Sequence, residues 1–394
     1  MAVESNDQLN FLSELFVLDA PNTSLLAEYP SSNSDETGFQ NRARFIINDP
    51  FPPPRKELMK ILGPHHLMCG WGQHLPVSSD IKPPQWLLDH WQRIFGPTGV
   101  PNWQSVDNVS NVITLFPHES IEASRQAVDP EVNYALHSKE IIGEIDCPQA
   151  RILDEVVAPC IVKLTHGYAG LGNYFIRNDS DASKMRQELD EYWPQATLVI
   201  NEVVENITHD YGVQFYLRRN GSMVWLGFTE QLFDDNVRWC GGTFSADLQT
   251  QLKDELCTIV EPVGKHLHTR GYFGLVGIDI LRDHQDQLYL VDVNPRLTGI
   301  SPFLMASRIF ARDGLSAGIY QASCRFEGVV EDLVALAEEI QDARVLVLSG
   351  FEESDQTGKP ITICHLSVSS ESQATNQAIL LRLLGTPAVP NSSH

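Results

Sequence analysis

The apolar and polar positions along the chain predict short strands that alternate with helices. Apolar runs at 44–48, 66–69 and 112–116 are typical of short strands, and residues 84–95 have the spacing of a helix. Strands and helices in alternation predict an N-terminal α/β domain over residues 1–130.

Two segments lack such a pattern. Residues 20–44 are rich in Ser, Asn, Glu and Pro, and we expect them to be mobile or loosely docked. The last ten residues are expected to be disordered.

From residue 130 onward the pattern becomes denser. Asp129-Pro130 is typical of an N-cap followed by proline at the first helical position, so we predict a helix over 130–145. Arg219-Asn220-Gly221 contains Asn-Gly, a strong signal for a hairpin turn. The further predicted elements are strands 159–164, 173–177 and 197–201, helix 182–192, a hairpin of 213–218 with 224–229, helix 248–270, a second hairpin of 274–281 with 288–293, strands 344–349 and 361–367, and helix 373–384.

Charge and composition argue against several classes of protein. The chain has 28 Lys and Arg against 51 Asp and Glu, a formal net charge of −23, which argues against a protein that acts on nucleic-acid backbones or anionic lipid. The seven cysteines form no CxxC pair, so neither a disulfide framework nor a zinc ribbon is indicated. No apolar stretch is long enough to span a bilayer, and the acidic first 20 residues are unlike a secretory signal. We therefore expect a reduced, cytoplasmic protein without nucleic-acid or membrane partners.

The segment LYLVDVNPRLTG at 288–299 carries the clearest chemical pattern. Side chains alternate along a strand, so Asp292 and Asn294 point to one face, and cross-strand pairing can bring Asp279 beside Asp292. Two carboxylates and an amide oxygen suit Mg²⁺, which completes its octahedron with phosphates and water. Taken singly, each aspartate is more typical of a solvent-facing hairpin; together with Asn-Pro-Arg they predict a metal site.

Residues suited to phosphate lie close to this pattern. Arg296 directly follows it, and its planar guanidinium suits a phosphoryl or carboxylate group, although a surface arginine paired to an acid is the alternative. Earlier in the chain, a predicted strand carries Lys163, and glycines that could fold the backbone over phosphates follow at Gly167, Gly170 and Gly172. Such glycines are equally compatible with a tight hairpin.

The segment LVINEVVE at 198–205 ends a predicted strand in an acid. In that position Glu202 could accept from a purine amine, and the backbone of Val203 and Val204 could line the base. A strand end with solvated acids is the simpler interpretation of this segment alone.

The order of these features resembles the ATP-grasp superfamily over residues 130–310. The resemblance implies an α/β (α+β) fold in which two lobes clasp ATP. It implies an N-terminal pre-ATP-grasp domain at 1–130, an ATP-grasp domain at 131–335 with a small lobe at 131–205 and a large lobe at 206–335, and a closing C-terminal segment at 336–394.

The resemblance also implies residue roles. Lys139, in SKEIIGEIDCP, resembles the residue on the family's lysine-bearing helix. The implied nucleotide contacts are the phosphates for Lys139, Lys163 and the glycines, adenine for Glu202 and Val204, and the ribose for Asp210 or His209. The implied metal ligands, for Mg²⁺ or Mn²⁺ as a substitute, are Asp279, Asp292 and Asn294, and the implied catalytic residues are Arg296 and Lys163. Asp292 departs from the family, which commonly has glutamate there.

The ending NPRLTG resembles the amide- and peptide-forming members of the superfamily. It implies an ATP-dependent carboxylate–amine ligase that acts through an acyl phosphate and releases ADP and phosphate, with amino acids or their derivatives as substrates. A homodimer is compatible with this function. One alternative is an ATP-grasp enzyme with a non-amine acceptor, such as a carboxylase, a thioester-forming ligase or a phosphotransferase. The other is a nucleotide-binding regulator without chemistry, against which the complete set of site residues argues.

Three further expectations concern the substrate side and the tail. Arg308 and Arg312 fall on one face of a predicted helix and could bind a substrate carboxylate, although exposed or paired arginines are the commoner case. Trp239-Cys240-Gly241-Gly242 is expected to be a loop that shapes the acceptor pocket. The strands after residue 335 are expected to form a small closing sheet.

Overall fold

The computed structural model of the protein describes residues 3–5, 8–32, 39–48, 56–79, 81–105, 110–167, 172–234 and 238–385. The strands are β1 (Val3–Ser5), β2 (Thr23–Leu26), β3 (Val77–Ser78), β4 (Trp103–Gln104), β5 (Asn111–Thr114), β6 (Cys160–Leu164), β7 (Asn173–Ile176), β8 (Leu198–Glu202), β9 (Ile207–Leu217), β10 (Met223–Phe233), β11 (Trp239–Ser245), β12 (Gly274–Asp283), β13 (Leu288–Asn294), β14 (Ala317–Glu327), β15 (Arg344–Ser354) and β16 (Pro360–Ser370). The α-helices are α1 (Ser13–Phe16), α2 (Lys56–Met68), α3 (Gln85–Phe95), α4 (Pro130–His137), α5 (Asp179–Tyr192), α6 (Ala246–Thr269), α7 (Ser301–Arg312), α8 (Val330–Glu338) and α9 (Gln373–Leu384), and 3₁₀ segments are Pro97–Gly99, Ala123–Arg125 and Lys139–Glu144.

A nine-stranded sheet is the largest element of the fold. Its order is β13-β12-β9-β10-β11-β14-β16-β15, with β1 added in parallel beside β10. Both predicted hairpins are present in it, and Gly221 adopts the positive φ of +87° that the turn between β9 and β10 requires. Helix α6 covers one face, where Val213, Phe215 and Val260 are fully buried.

A three-stranded antiparallel sheet, in the order β7-β6-β8, forms a separate small layer with helix α5. Asn178 caps α5 by accepting from the backbone N–H groups of Ser180 and Asp181, so the helix begins three residues before its predicted start. The core of this layer, around Val162 and Met185, is distinct from that of the large sheet.

The N-terminal part contains the predicted α/β unit. Its four strands, in the order β4-β3-β2-β5, are all parallel, and helices α2 and α3 have the α/β alternation expected from the sequence. The expectation that residues 20–44 are loosely docked is wrong for β2, which is buried throughout and whose Ser24 hydroxyl meets that of Ser78 at 2.7 Å. The prediction from polar composition was wrong here because small hydroxyl side chains can form hydrogen bonds inside a sheet.

Two short apolar runs in this part are not strands. Residues 44–48 are not a strand: the chain bends through 42–45, where Phe45 has a positive φ of 53° that an extended strand does not allow, although Phe45 and Ile47 are buried. Residues 66–68 lie in the last turn of α2, where the apolar positions face a core by helical rather than strand spacing.

Two later elements also differ from their predictions. The helix expected over 130–145 stops at Ser138, whose ψ of 133° is extended, and continues as a 3₁₀ segment; its start is capped by Asp129 as predicted. Residues 239–242 belong to β11 rather than to a loop, since glycines without side chains can pair closely with β10 and β14.

The C-terminal strands were expected to form a sheet of their own. Instead β15 and β16 extend the large sheet through β14, and α9 occupies its predicted range, 373–384. The domain divisions at residues 130, 205 and 335 stay a prediction. Within the part of the chain that the structure covers, no helix is long and apolar enough to cross a membrane.

Candidate functional site

The hairpin of β12 and β13 places the two predicted metal-binding aspartates face to face. Asp279 pairs directly with Asp292 in the antiparallel register, as the alternation of side chains predicted. The register shifts immediately after this pair, so that Ile280 pairs with Leu290 and Val291 is left as a bulged residue. The bulge separates the Asp279–Asp292 pair from the pairs closer to the turn of the hairpin, which begin with Ile280 and Leu290.

A glutamine and a third aspartate join this pair from the neighbouring strands. The Gln231 amide donates to Asp210 Oδ1 at 2.9 Å and to Asp279 Oδ1 at 3.0 Å. Asp210, predicted as a candidate for the ribose, therefore lies with the acidic cluster, and Gln231 is a residue that sequence reasoning missed. No local signal marks Gln231, because its position depends on how β10, β9 and β12 align.

The surroundings of these acids shift their pKa values in opposite directions. Burial and the nearby charges of Asp292 and Asp210 raise the pKa of Asp279, and burial raises the pKa of Asp210 to about 7. Burial would also raise the pKa of Asp292, but Lys139 and Lys163 outweigh it and lower that pKa below its usual value. The cluster therefore has an excess of carboxylates that a bound cation would neutralise.

Two lysines reach this cluster, Lys139 from the 3₁₀ segment beside β13 and Lys163 from the small sheet. Lys139 Nζ donates to Asp292 Oδ1 at 2.5 Å, with only 11% of the lysine side chain exposed. Lys163 on β6 donates to the carbonyl oxygen of Val291 at 2.7 Å, a group that the bulge leaves outside the β12 pairing. Burial lowers the pKa of Lys163. The structure thus brings both predicted phosphate-binding lysines next to the predicted metal ligands.

Arg296 follows in a loop that is held in place. Its guanidinium donates to Asn294 Oδ1 at 3.0 Å, and Asn294 in turn donates to Asp292 Oδ2 at 3.1 Å. The loop beyond is fixed because Ser301 and Thr298 both donate to Gln214 Oε1, at 2.8 and 3.2 Å. Gln214 is a second residue that the sequence did not reveal, for the same reason as Gln231.

The glycine-rich segment is only partly described. Gly172 has a positive φ of 81°, and a Cβ there would overlap the Leu164 side chain, so this turn requires glycine. Gly167 forms an isolated β-bridge with Asn48 of the N-terminal part. The backbone N–H of Asn48 donates to the carbonyl oxygen of His166 at 3.0 Å. Gly170 lies outside the described residues.

The predicted adenine and ribose contacts lie at the far end of β8 and on β9. Glu202 accepts from the backbone N–H and the Nε of Arg151, at 3.0 and 3.2 Å, and Val204 follows partly buried. His209 Nδ1 lies 2.7 Å from Glu230 Oε1. These contacts do not test a role in nucleotide binding, so the roles stay predictions.

The two arginines considered for the substrate have structural partners. Arg308 donates to Leu226 O at 2.7 Å. Arg312 donates to Leu9 O and Asn10 Oδ1 at 2.6 and 2.7 Å. Both side chains therefore have backbone or amide oxygens as partners, and a role in binding a substrate carboxylate stays untested.

The residues at this site fit a divalent cation that is completed by other ligands. Within the described ranges, no group of three or more His, Cys, Asp or Glu side chains could hold a metal by itself. Asp279, Asp292 and Asn294 supply two carboxylates and an amide oxygen, which is the partial oxygen set with which proteins hold Mg²⁺ beside phosphates. The buried, mutually repelling carboxylates support the same fit.

Comparisons with known proteins concern the family and the fold. A family model described as L-aspartate–L-methionine ligase, ATP grasp, matches residues 145–294. No curated protein shows significant sequence similarity. An ADP complex of N5-carboxyaminoimidazole ribonucleotide synthetase superposes with a TM-score of 0.53 at 11% identity, covering 81% of this chain and 93% of that chain. The ADP complex of N5-carboxyaminoimidazole synthetase from Staphylococcus aureus gives a TM-score of 0.51 at 13% identity, over 81% of this chain and 93% of that chain.

The fold is that of ATP-grasp enzymes, with a small three-stranded sheet that contacts the large sheet where Lys163 reaches β13. The matched region contains Lys163, the acidic cluster and the β12–β13 hairpin up to Asn294. Over residues 145–294 the chain thus matches a family of ATP-grasp ligases, and its fold is shared with ATP-grasp enzymes.

Proposed function

We propose that the protein is a carboxylate–amine ligase that uses ATP to form an amide bond through an acyl phosphate. The observation that carries this proposal is the convergence of Asp279, Asp292 and Asn294 with Lys139, Lys163 and Arg296 at one end of the large sheet. Opposite charges that are partly buried are suited to phosphoryl transfer, in which positioning and charge neutralisation provide most of the rate enhancement.

The reaction would take place in two steps. A carboxylate oxygen of the first substrate attacks the γ-phosphorus, the bond to the β–γ bridging oxygen breaks, and ADP leaves. The amine nitrogen of the second substrate then attacks the acyl carbon, phosphate leaves, and the nitrogen loses a proton. No nucleophilic side chain is needed in either step.

The residues of this chain would position and neutralise the reacting groups. Lys139 and Lys163 would bind the phosphates of ATP, and Arg296 would stabilise the negative charge on the transferred phosphoryl group and the acyl phosphate. Mg²⁺, or Mn²⁺ in its place, would be held by Asp279, Asp292 and Asn294 and would supply further charge neutralisation to the phosphates. Glu202 and Val204 would contact adenine.

The name of the matched family provides the first substrates to test. It describes a ligase for L-aspartate and L-methionine, an acid and an amine that are both amino acids. We therefore propose amino acids or their derivatives as both substrates, with an aspartate carboxylate activated and a methionine amine as the acceptor.

The test is a substrate screen with purified full-length protein, ATP and Mg²⁺. Aspartate and methionine, followed by other pairs of amino acids, are expected to stimulate ADP and phosphate release and to give a dipeptide mass. Hydroxylamine should replace the amine and trap the acyl phosphate as a hydroxamate. ADP release that requires bicarbonate or a thiol in place of the amine would contradict amide formation, and failure to bind ATP would contradict the whole proposal.

A further inference from the structure

A cavity of about 350 Å³ lies on the face of the large sheet opposite the acidic cluster. Glu230 and Leu232 of β10 line it, and they alternate along the strand with Gln231, whose side chain bonds the aspartates on the other face. The remaining walls include Leu248 in the first turn of α6, Ile319 of β14 and Gln373 of α9. The cavity is therefore a separate space from the proposed nucleotide cleft.

The size of the cavity limits what could occupy it. Small-molecule sites in proteins typically have volumes of about 300–1,000 Å³, so this one is near the lower end of that range. The space suits a molecule with about the bulk of an amino acid. A nucleotide would require a larger cavity.

The lining combines one acid with an apolar wall. Leu232 and Ile319 are buried and Leu248 is partly buried, while the described lining side chain that carries a charge is Glu230, 23% exposed. A hydrogen bond between His209 Nδ1 and Glu230 Oε1, 2.7 Å long, orients this carboxylate. A carboxylate beside aliphatic side chains would bind an ammonium group whose body is apolar.

The strand between the two faces provides a physical link to the cleft. Glu230 is flanked in sequence by Thr229 and Gln231, and Gln231 donates to both Asp210 and Asp279. His209, the partner of Glu230, is likewise adjacent to Asp210. A ligand that binds Glu230 would thus act on β9 and β10, the strands that carry Asp210 and its partner Gln231.

We propose that this cavity is an effector site for small primary amines with an apolar body, apolar amino acids included. The site is separate from the proposed acceptor position in the cleft, and its occupation does not depend on which reaction the enzyme catalyses.

Calorimetric titration of the nucleotide-free full-length protein tests the proposal. The probes are isoamylamine, L-leucine and the matched acid 4-methylpentanoate. Isoamylamine is expected to bind the natural protein. The Glu230→Gln substitution should weaken this binding at least about tenfold, and Leu248→Trp, which fills the cavity, should abolish it. Glu371→Gln, at an exposed acid outside the lining, and Asp279→Asn, in the cleft, should bind isoamylamine as the natural protein does.

Three results would overturn the proposal. One is the absence of isoamylamine binding at concentrations up to about 10 mM, at which even so small a ligand should occupy a genuine binding site. Another is equal binding of 4-methylpentanoate and isoamylamine. The third is loss of binding in Asp279→Asn with retention in Glu230→Gln, which would place the amine in the cleft. Glu230→Gln is nearly isosteric, so it remains informative if Leu248→Trp does not fold; L-leucine binding would identify amino acids as the natural source.

Discussion

At the scale of single residues, the site is organised by unequal charge. Asp279, Asp292 and Asp210 lie together, and only Asp292 has a lysine bonded to it, the short contact with Lys139. Gln231 partly offsets the repulsion by donating to two of the carboxylates. Such an arrangement is costly without a cation and is therefore typical of a binding site rather than of a stabilising network.

Replacement of Arg296 or Asn294 by alanine is expected to abolish turnover without unfolding the protein. Arg296 would neutralise charge that develops during transfer, and loss of one such donor commonly lowers kcat by about 10²–10³-fold. Steady-state ADP release measures the effect, and circular dichroism checks the fold. Arg186→Ala, at an exposed position on α5, serves as the control, and normal rates in Arg296→Ala or Asn294→Ala would contradict the site assignment.

Lys139→Met is expected to weaken ATP binding by about 10–100-fold. A hydrogen bond to a charged group contributes about 1.5–3 kcal/mol, and methionine keeps the length of the side chain without the charge. Titration with ATP and Mg²⁺ measures the affinity, and Lys184→Met on the exposed face of α5 is the matched control. Unchanged affinity would show that Lys139 pairs with Asp292 only for structural reasons.

At the scale of elements, irregularities in strands place the functional groups. The bulge at Val291 exposes the carbonyl that Lys163 contacts, so the small layer and the large sheet meet at a backbone group. On the other side of the sheet, β11 can pair closely with β14 because its glycines have no side chains. Gly241, at a φ of +151°, is the tightest of these positions, since a Cβ there would overlap the carbonyl oxygen of Tyr320.

Gly241→Ala is therefore expected to destabilise the protein by more than about 3 kcal/mol, because backbone must move to remove the overlap. Gly314→Ala is the matched control: its φ is also positive, +90°, but no atom lies within 4 Å of the added Cβ. The Gly314→Ala substitution should lower the free energy of unfolding by only about 1 kcal/mol. Urea unfolding measures both changes, and equal losses would contradict the assigned contact.

At the scale of the whole molecule, the N-terminal unit and the large sheet share one apolar core. This core joins Leu25 and Trp91 to Phe303 and Val347, and the Trp91 indole donates to Val347 O at 3.0 Å. The small layer that carries Lys163 has its own core. We infer that the first two units behave as one body and that the small layer is the part best able to change position when ATP binds.

Four buried histidines give the protein a pH dependence of stability. Burial lowers the pKa of His65 and His66 to about 4 and those of His90 and His118 to about 3. The unfolded chain binds these protons near pH 6.5 and the folded protein does not, so stability is complete above that pH and is lost as the pH falls toward 4. Between pH 6.5 and about 4, each histidine should lower the free energy of unfolding by about 1.4 kcal/mol for each unit by which the pH falls.

Urea unfolding between pH 7.5 and 4.5 would measure this dependence. The raised pKa values of Asp210 and Asp279 act in the opposite sense and offset part of it. His90→Gln, which keeps an acceptor for the Val347 N–H, should reduce the slope by about one proton. Stability that stays constant or rises on acidification would contradict the burial of neutral imidazoles.

The fold and the site were predictable to different extents. The strands and helices that were predicted from residue 160 onward occur in the predicted order, because apolar residues recur there at strand or helix spacing over several positions. Strand β14 and helix α8 were not predicted, and β11 was expected to be a loop. Residues 44–48 and 66–69 are too short for spacing to distinguish a strand from a helix turn or a bend, and both predictions were wrong. The facing of Asp279 and Asp292 was predictable because a hairpin restricts the register of its two strands.

The sequence by itself determined the class of fold, the order of most of its elements and the candidates for the acidic and cationic groups, since each depends on residues close together in the chain. Only the tertiary structure decided that Gln231 bridges two aspartates, that Lys163 meets the bulged carbonyl of Val291, and that Arg308 and Arg312 bind backbone groups. Those contacts join strands, helices and loops that are distant in sequence. Their register is set by the packing of the entire sheet, and no local pattern of residues encodes it.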